Sequence, residues 1–196
     1  YDPLLICGPG GVLDTEAAAS SRTVFVRWLV RPIRPLHDLI AIIALWRILR
    51  REKPDIVHTH SSKAGILGRL AAWLAGVPRI IHTYHGFGFN DEQRPWVRAA
   101  FVLAERFVAP ITDRLVVVAS QNIEKALAHG IGRRNQYIVI HSGIKVSDFV
   151  GAWYDLLSRR WPRPGQSKET GERRGATGNS SPRSVFTAWR EVGRGQ

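Results

Sequence analysis

Short apolar runs alternate with longer stretches of helical periodicity across positions 3–142, and no other property of the chain constrains its fold as strongly. The runs fall at 4–7, 56–60, 79–84, 115–119 and 137–141 and are rich in β-branched residues. Each is short enough for a strand and apolar enough to be buried on both faces. Between them, Leu36, Leu39, Ile40 and Ile43 recur at three- and four-residue spacing, as do Ile66, Leu67, Leu70 and Leu74. The second set predicts a helix over 63–75, stopped by Gly76 and then Pro78. A third helix is expected from Pro95, a favoured first-turn residue, to about 111. A fourth is expected over 121–129, between Ser120 as N-cap and Gly130.

Strand–helix–strand units joined by short loops imply a parallel sheet wrapped by helices through right-handed crossovers. The expected fold class is therefore α/β, a Rossmann-like doubly wound parallel sheet. In such sheets ligands bind beyond the carboxyl ends of the strands. That rule singles out His60, Ser61, Ser62 and Lys63 after the second run, and His85, Gly86 and Phe87 after the third. It also singles out Ser120, and Ser142 with Gly143. Beyond about Phe149 the chain turns to Arg, Ser, Gly and Pro with few aliphatic residues. The expected organisation is a domain over 1–149 and a disordered basic tail over 150–196, in which only "SVFTAWREV" predicts a short helix.

Composition excludes several classes. A single cysteine, Cys7, allows no internal disulfide framework and no cysteine-based zinc site. The apolar run 39–46, "LIAIIALW", falls far short of the roughly 20 residues needed to span a bilayer. No basic start followed by a long apolar run marks a signal peptide. The net charge of +12 is local: residues 150–196 carry nine Lys/Arg against four Asp/Glu, and Arg22, Arg27, Arg31, Arg34, Arg47, Arg50, Arg51 and Lys53 form a second cluster. Arginine mixed with Phe25, Trp28 and Trp46 suits an anionic membrane surface. Nucleic acid is disfavoured as a partner, because no recognisable binding module organises these residues.

Two successive runs end alike, in "IVHTHSSKAG" and "IIHTYHGFG". His58 and His82 lie within the runs and are expected to be satisfied core histidines. His60 and His85 lie at the carboxyl edge. Ser61-Ser62 caps the following helix, whose N-terminus favours an anion, and Lys63 adds charge. His85 beside Gly86 can hydrogen-bond a sugar hydroxyl or a phosphate and move a proton, while the glycine permits close approach. Metal is not expected, since no carboxylate accompanies the four histidines. The loop Gly8-Pro9-Gly10-Gly11 lacks the spacing of a phosphate-binding motif and is expected to be a turn.

"KPDIVHTHSSKAGILGRLAAWLAGVPRIIHTYHGFGF", "ITDRLVVVASQNIEKALAHGI" and "IVIHSGIKVSDF" occur in this order, and together they resemble the N-terminal domain of retaining glycosyltransferases of GT-B architecture, group 1, family 4. The resemblance runs from about Leu4 to Phe149 and lies in the order and spacing of the segments. It implies a domain that holds the acceptor, facing a second domain that holds a UDP- or GDP-type nucleotide sugar. It implies that His85 lies in the interdomain cleft near the transferred sugar, and that Ser142 and Gly143 precede the hinge. A glycan or lipid-linked acceptor, no metal or other cofactor, and the cytoplasmic membrane face follow from the same resemblance.

The departures are equally specific. The family opens with a strand and a glycine-rich loop, and Tyr1 stands where Met would begin a frame. The expectation is a fragment lacking its first strand, inactive alone, with a non-native tail, because no two glutamates have the spacing of the family's second domain. The rival readings are a sugar-nucleotide epimerase of the same architecture, which would need carboxylates at the strand ends, and a non-enzymatic basic binding module.

Overall fold

The computed structural model describes residues 2–90 and 92–141 in full and the backbone of 185–190. Seven strands form one sheet: β1 (Asp2–Cys7), β2 (Arg22–Phe25), β3 (Ile56–His60), β4 (Arg79–Tyr84), β5 (Arg114–Val117), β6 (Tyr137–Val139) and β7 (Val185–Arg190). Among the described residues five α-helices connect β1 to β6: α1 (Asp14–Ser20), α2 (Pro35–Glu52), α3 (Ser62–Ala75), α4 (Pro95–Val108) and α5 (Gln121–Ala128). The sheet order is β2-β1-β7-β3-β4-β5-β6.

Every pair among β1 to β6 is parallel, as expected for crossover connections. β7 is the exception. It lies antiparallel between β1 and β3, with Leu5 and His58 both opposite Thr187. Residues 185–190 therefore form a strand where the sequence predicted a short helix. Val185, Phe186, Thr187 and Trp189 are β-branched or aromatic, and pairing on both sides outweighs their weaker helical preference.

Two further elements went unanticipated. α1 carries no buried residue, so it leaves no apolar stripe to detect. β2 is four residues long and lies at the sheet edge. The third expected helix stops at Val108 and tightens into a 3₁₀ turn, Ala109–Ile111, where Pro110 cannot continue the ladder.

The core has two parts. Leu4, Ile6, Val57 and Ile80 pack against Ala41, Leu45 and Leu49 of α2 and Leu67 and Ala71 of α3. Tyr84, Phe89, Leu115, Val117, Ala126, Ile131 and Tyr137 form the second cluster. Between the sheet and helices α3 and α4 lies a buried ion pair. Arg69 Nη2 donates to Glu105 Oε2 at 2.7 Å, and the Tyr84 hydroxyl donates to the same oxygen at 2.6 Å. Burial pulls the Arg69 guanidinium down, but the Glu105 carboxylate and Tyr84 outweigh it and hold its pKa above the ordinary value. Burial also raises the Tyr84 hydroxyl well above its usual range, and Glu105 adds to that.

Candidate functional site

The carboxyl ends of β3 and β4 bring four histidines together and sort them by face. Successive strand residues point to opposite sides. His82 therefore faces α3, where it is buried and its Nδ1 meets the Thr59 hydroxyl at 2.8 Å. That hydroxyl donates its proton to the Ile81 carbonyl, so it accepts from the Nδ1–H of His82. Burial, reinforced by Arg69, holds His82 well below the ordinary imidazole pKa. His82 is structural, and Gly65 of α3 is the residue that admits it: a Cβ there would collide with the ring.

His58, His60 and His85 occupy the other side and the strand edge. His58 Nε2 bonds the Thr83 hydroxyl at 2.7 Å, which ties β3 to β4. The His58 and His60 rings lie 4.3 Å apart, and His60 stacks on His85 at 5.3 Å and 26°. His60 Nδ1 and His85 Nε2 share a hydrogen bond of 3.1 Å. Burial, with the nearby His58 and His85, lowers the His60 pKa to about 4. At neutral pH His60 is therefore an uncharged ring fixed against an exposed one, and His85 keeps Nδ1 for a hydroxyl or phosphate oxygen.

The other expected site residues are placed as follows. Ser61 is the N-cap of α3 but makes no side-chain cap bond, and its backbone holds φ 64, ψ 153, a region costly for any residue but glycine. Ser62 opens α3 and packs so closely on Gly88 that a Cβ on that glycine would overlap its side chain. Lys63 was read as an anion-binding charge, but its ammonium group points back into the protein. It donates to the carbonyls of Val30 (2.9 Å) and Pro32 and pairs with Asp38 at 2.5 Å, so it ties the loop before α2 to α3.

Phe87 joins an aromatic series, 4.9 Å from both Tyr84 and Phe89, with Lys125 over its ring at 5.8 Å. Gly86 is exposed, and a Cβ there would meet nothing within 4 Å, so the position opens on free space. Ser120 caps α5 without a side-chain bond, after the end of β5. Ser142 and Gly143 lie outside the described residues. Among the described residues no group of three His, Cys, Asp or Glu side chains could hold a metal ion. No helix among them is long and apolar enough to cross a membrane.

The family model described as "Glycosyl transferase 4-like domain" matches residues 2–143, the span that carries β1 to β6 and this edge but not β7. The chain belongs to that family. A UDP-Gal:alpha-D-GlcNAc-diphosphoundecaprenol alpha-1,3-galactosyltransferase of Escherichia coli is 40% identical over 152 residues, covering 78% of this chain and 39% of that protein. An uncharacterised 41.2 kDa protein from the cps region of Klebsiella pneumoniae is 26% identical over 135 residues, 67% of this chain and 37% of its own length. A D-inositol 3-phosphate glycosyltransferase of Streptomyces avermitilis is 27% identical over 116 residues, 55% of this chain and 24% of that protein. The chain thus spans at most 39% of the length of these relatives.

Proposed function

We propose that this domain is the acceptor-holding half of a retaining glycosyltransferase that moves a sugar from a UDP- or GDP-type donor to a lipid-linked or glycan acceptor at the cytoplasmic membrane face. The observation that carries this reading is the exposed His85, held through Nε2 by a neutral His60 at the carboxyl edge of a family-matched sheet. The Escherichia coli relative supports a lipid-diphosphate acceptor and a uridine donor.

In the transfer an acceptor hydroxyl oxygen bonds to the anomeric carbon. The bond from that carbon to the nucleoside diphosphate breaks, and the hydroxyl proton leaves with the diphosphate. His85 Nδ1 hydrogen-bonds a hydroxyl of the bound sugar and fixes its orientation, which is where a positioned side chain contributes most. The donor diphosphate is held by groups of a second domain.

The test is direct binding of an α-GlcNAc-diphospho-lipid analogue by calorimetry, with UDP-galactose as a second titrant. The expected result is acceptor binding that His85→Ala weakens by at least about tenfold, no measurable donor binding, and no product. Acceptor binding indifferent to His85→Ala, or turnover by the chain alone, would overturn the reading.

A further inference from the structure

The sheet has one place that the series of parallel strands does not fill. β1 and β3 never pair with each other: β1 carries β2 on its outer side, β3 carries β4, and their inner edges face one another across the width of a single strand. That gap, about 9.5 Å from backbone to backbone, is where β7 lies. Asp2–Cys7 runs opposite Arg190–Val185, and Ile56–Thr59 opposite Trp189–Phe186. In doubly wound sheets the strand at the centre of the order runs parallel to its neighbours. β7 runs against both of them, and it comes from outside the residues 2–143 that the family model matches.

The strands that flank the gap are held by more than β7. Leu4 and Ile6 of β1 and Val57 of β3 belong to one buried cluster with Ala41, Leu45 and Leu49 of α2 and Leu67 and Ala71 of α3. Helices thus fix the two strands on either side of the gap, although no ladder joins them directly. An unfilled gap would leave two rows of N–H and C=O groups unpaired beside apolar side chains, at about 1–3 kcal/mol for each buried group. An extended segment laid between them satisfies both rows at once. This is strand addition with two edges instead of one, and main-chain bonds supply the affinity. The connection does not impose a direction on the occupant. β3 to β6 each follow a helix that returns the chain in a crossover, whereas β7 follows residues 140–184, long enough for a strand to enter from either end. Val185, where β7 starts, lies opposite Cys7, at the carboxyl edge that also carries His60.

We propose that the gap between β1 and β3 is a strand-acceptor site for an extended peptide rich in β-branched and aromatic residues, and that β7 is its tethered, exchangeable occupant. The inference rests on the sheet alone and does not depend on sugar transfer. In the experiment a site-specific protease sequence inserted after Gly171 lets the folded full chain be cut, so that residues 172–196 remain only if the gap holds them. The probe is a fluorescent peptide of residues 183–192, RSVFTAWREV, beside the same peptide with Thr187→Pro. The full chain carrying Thr187→Pro is a second form of the protein, whose own β7 is disabled without a cut. Fluorescence anisotropy reads peptide uptake, and thermal melting reads its effect on the fold.

The expected result is that 172–196 co-elutes with the cut chain in gel filtration and is then replaced one-for-one by the peptide. Uptake should raise the melting temperature of the Thr187→Pro chain, and the proline peptide should bind either form at least about tenfold more weakly. Peptide uptake by neither form, or equal uptake of the two peptides, would overturn the proposal. Should the Thr187→Pro chain fail to fold, the cut chain decides alone, because it folds with its native strand before cleavage.

Discussion

Glu105→Gln removes one charge from the buried Arg69–Glu105 ion pair while keeping the side chain's shape. Arg69 has no exposed side-chain surface and Glu105 has 3%. The amide oxygen of glutamine can still accept from the Tyr84 hydroxyl, so the change isolates the loss of the carboxylate opposite the guanidinium. Breaking a buried pair from one side leaves an uncompensated charge and costs about 3–5 kcal/mol. Arg69 Nε still donates to the neutral Gly65 carbonyl at 3.0 Å and Nη1 has no hydrogen-bond partner among the described residues, so the remaining contact leaves the charge uncompensated. With a urea dependence of about 2 kcal/mol per molar, the unfolding midpoint should fall by roughly 2 M. The assay is urea unfolding followed by tryptophan fluorescence. Arg69→Met with Glu105→Leu should recover most of the loss, because two apolar groups leave no buried charge unpaired. A Glu105→Gln loss below about 1 kcal/mol, or a double variant as unstable as the sum of its parts, would refute the reasoning.

Stability should fall on acidification between about pH 6.5 and 4. His60 is depressed from 6.5 to about 4 in the fold, so the unfolded chain binds the proton first, and the loss is complete once pH passes the folded value. His58 and His82 are depressed for the same reason and act in the same direction; a flatter melting-temperature profile for His60→Gln would confirm the assignment. Lys63→Met should destabilise the domain by roughly 1–3 kcal/mol in urea unfolding by orphaning two carbonyls and Asp38, and should leave phosphate binding unchanged. Thr187→Pro places a residue without an N–H in a strand paired on both sides, and thermal melting should report a loss of about 3 kcal/mol or more.

The alternation of runs was legible because its two periods differ, and β3 and β4 follow their apolar runs closely. What escaped detection lacked periodic signal. α1 buries nothing, and β2 lies at the edge with no fully buried residue. β7 depends on its partners: Val185–Arg190 is strand because β1 and β3 both pair with it, a long-range fact that no local window contains. At the site, the histidines at the strand ends could be found by position. The direction of Lys63 could not, because it is set by Asp38 and by carbonyls more than thirty residues earlier.

That direction changes how the site works. The three residues after His60 each serve the fold: Ser61 carries the strained turn, Ser62 fits against Gly88, and Lys63 anchors the preceding loop. A strained φ at Ser61 costs about 1–3 kcal/mol and persists only where neighbouring contacts over-determine it. The packing of Gly88 on Ser62 does that, and it locks the loop after β4 to the start of α3. The two imidazoles at the ends of these loops are thereby fixed relative to each other, and their 3.1 Å bond belongs to a rigid frame. The sugar recognition proposed for this edge therefore relies on an oriented hydrogen-bonding ring rather than on a cationic pocket. That arrangement suits sugar hydroxyls better than a free anion.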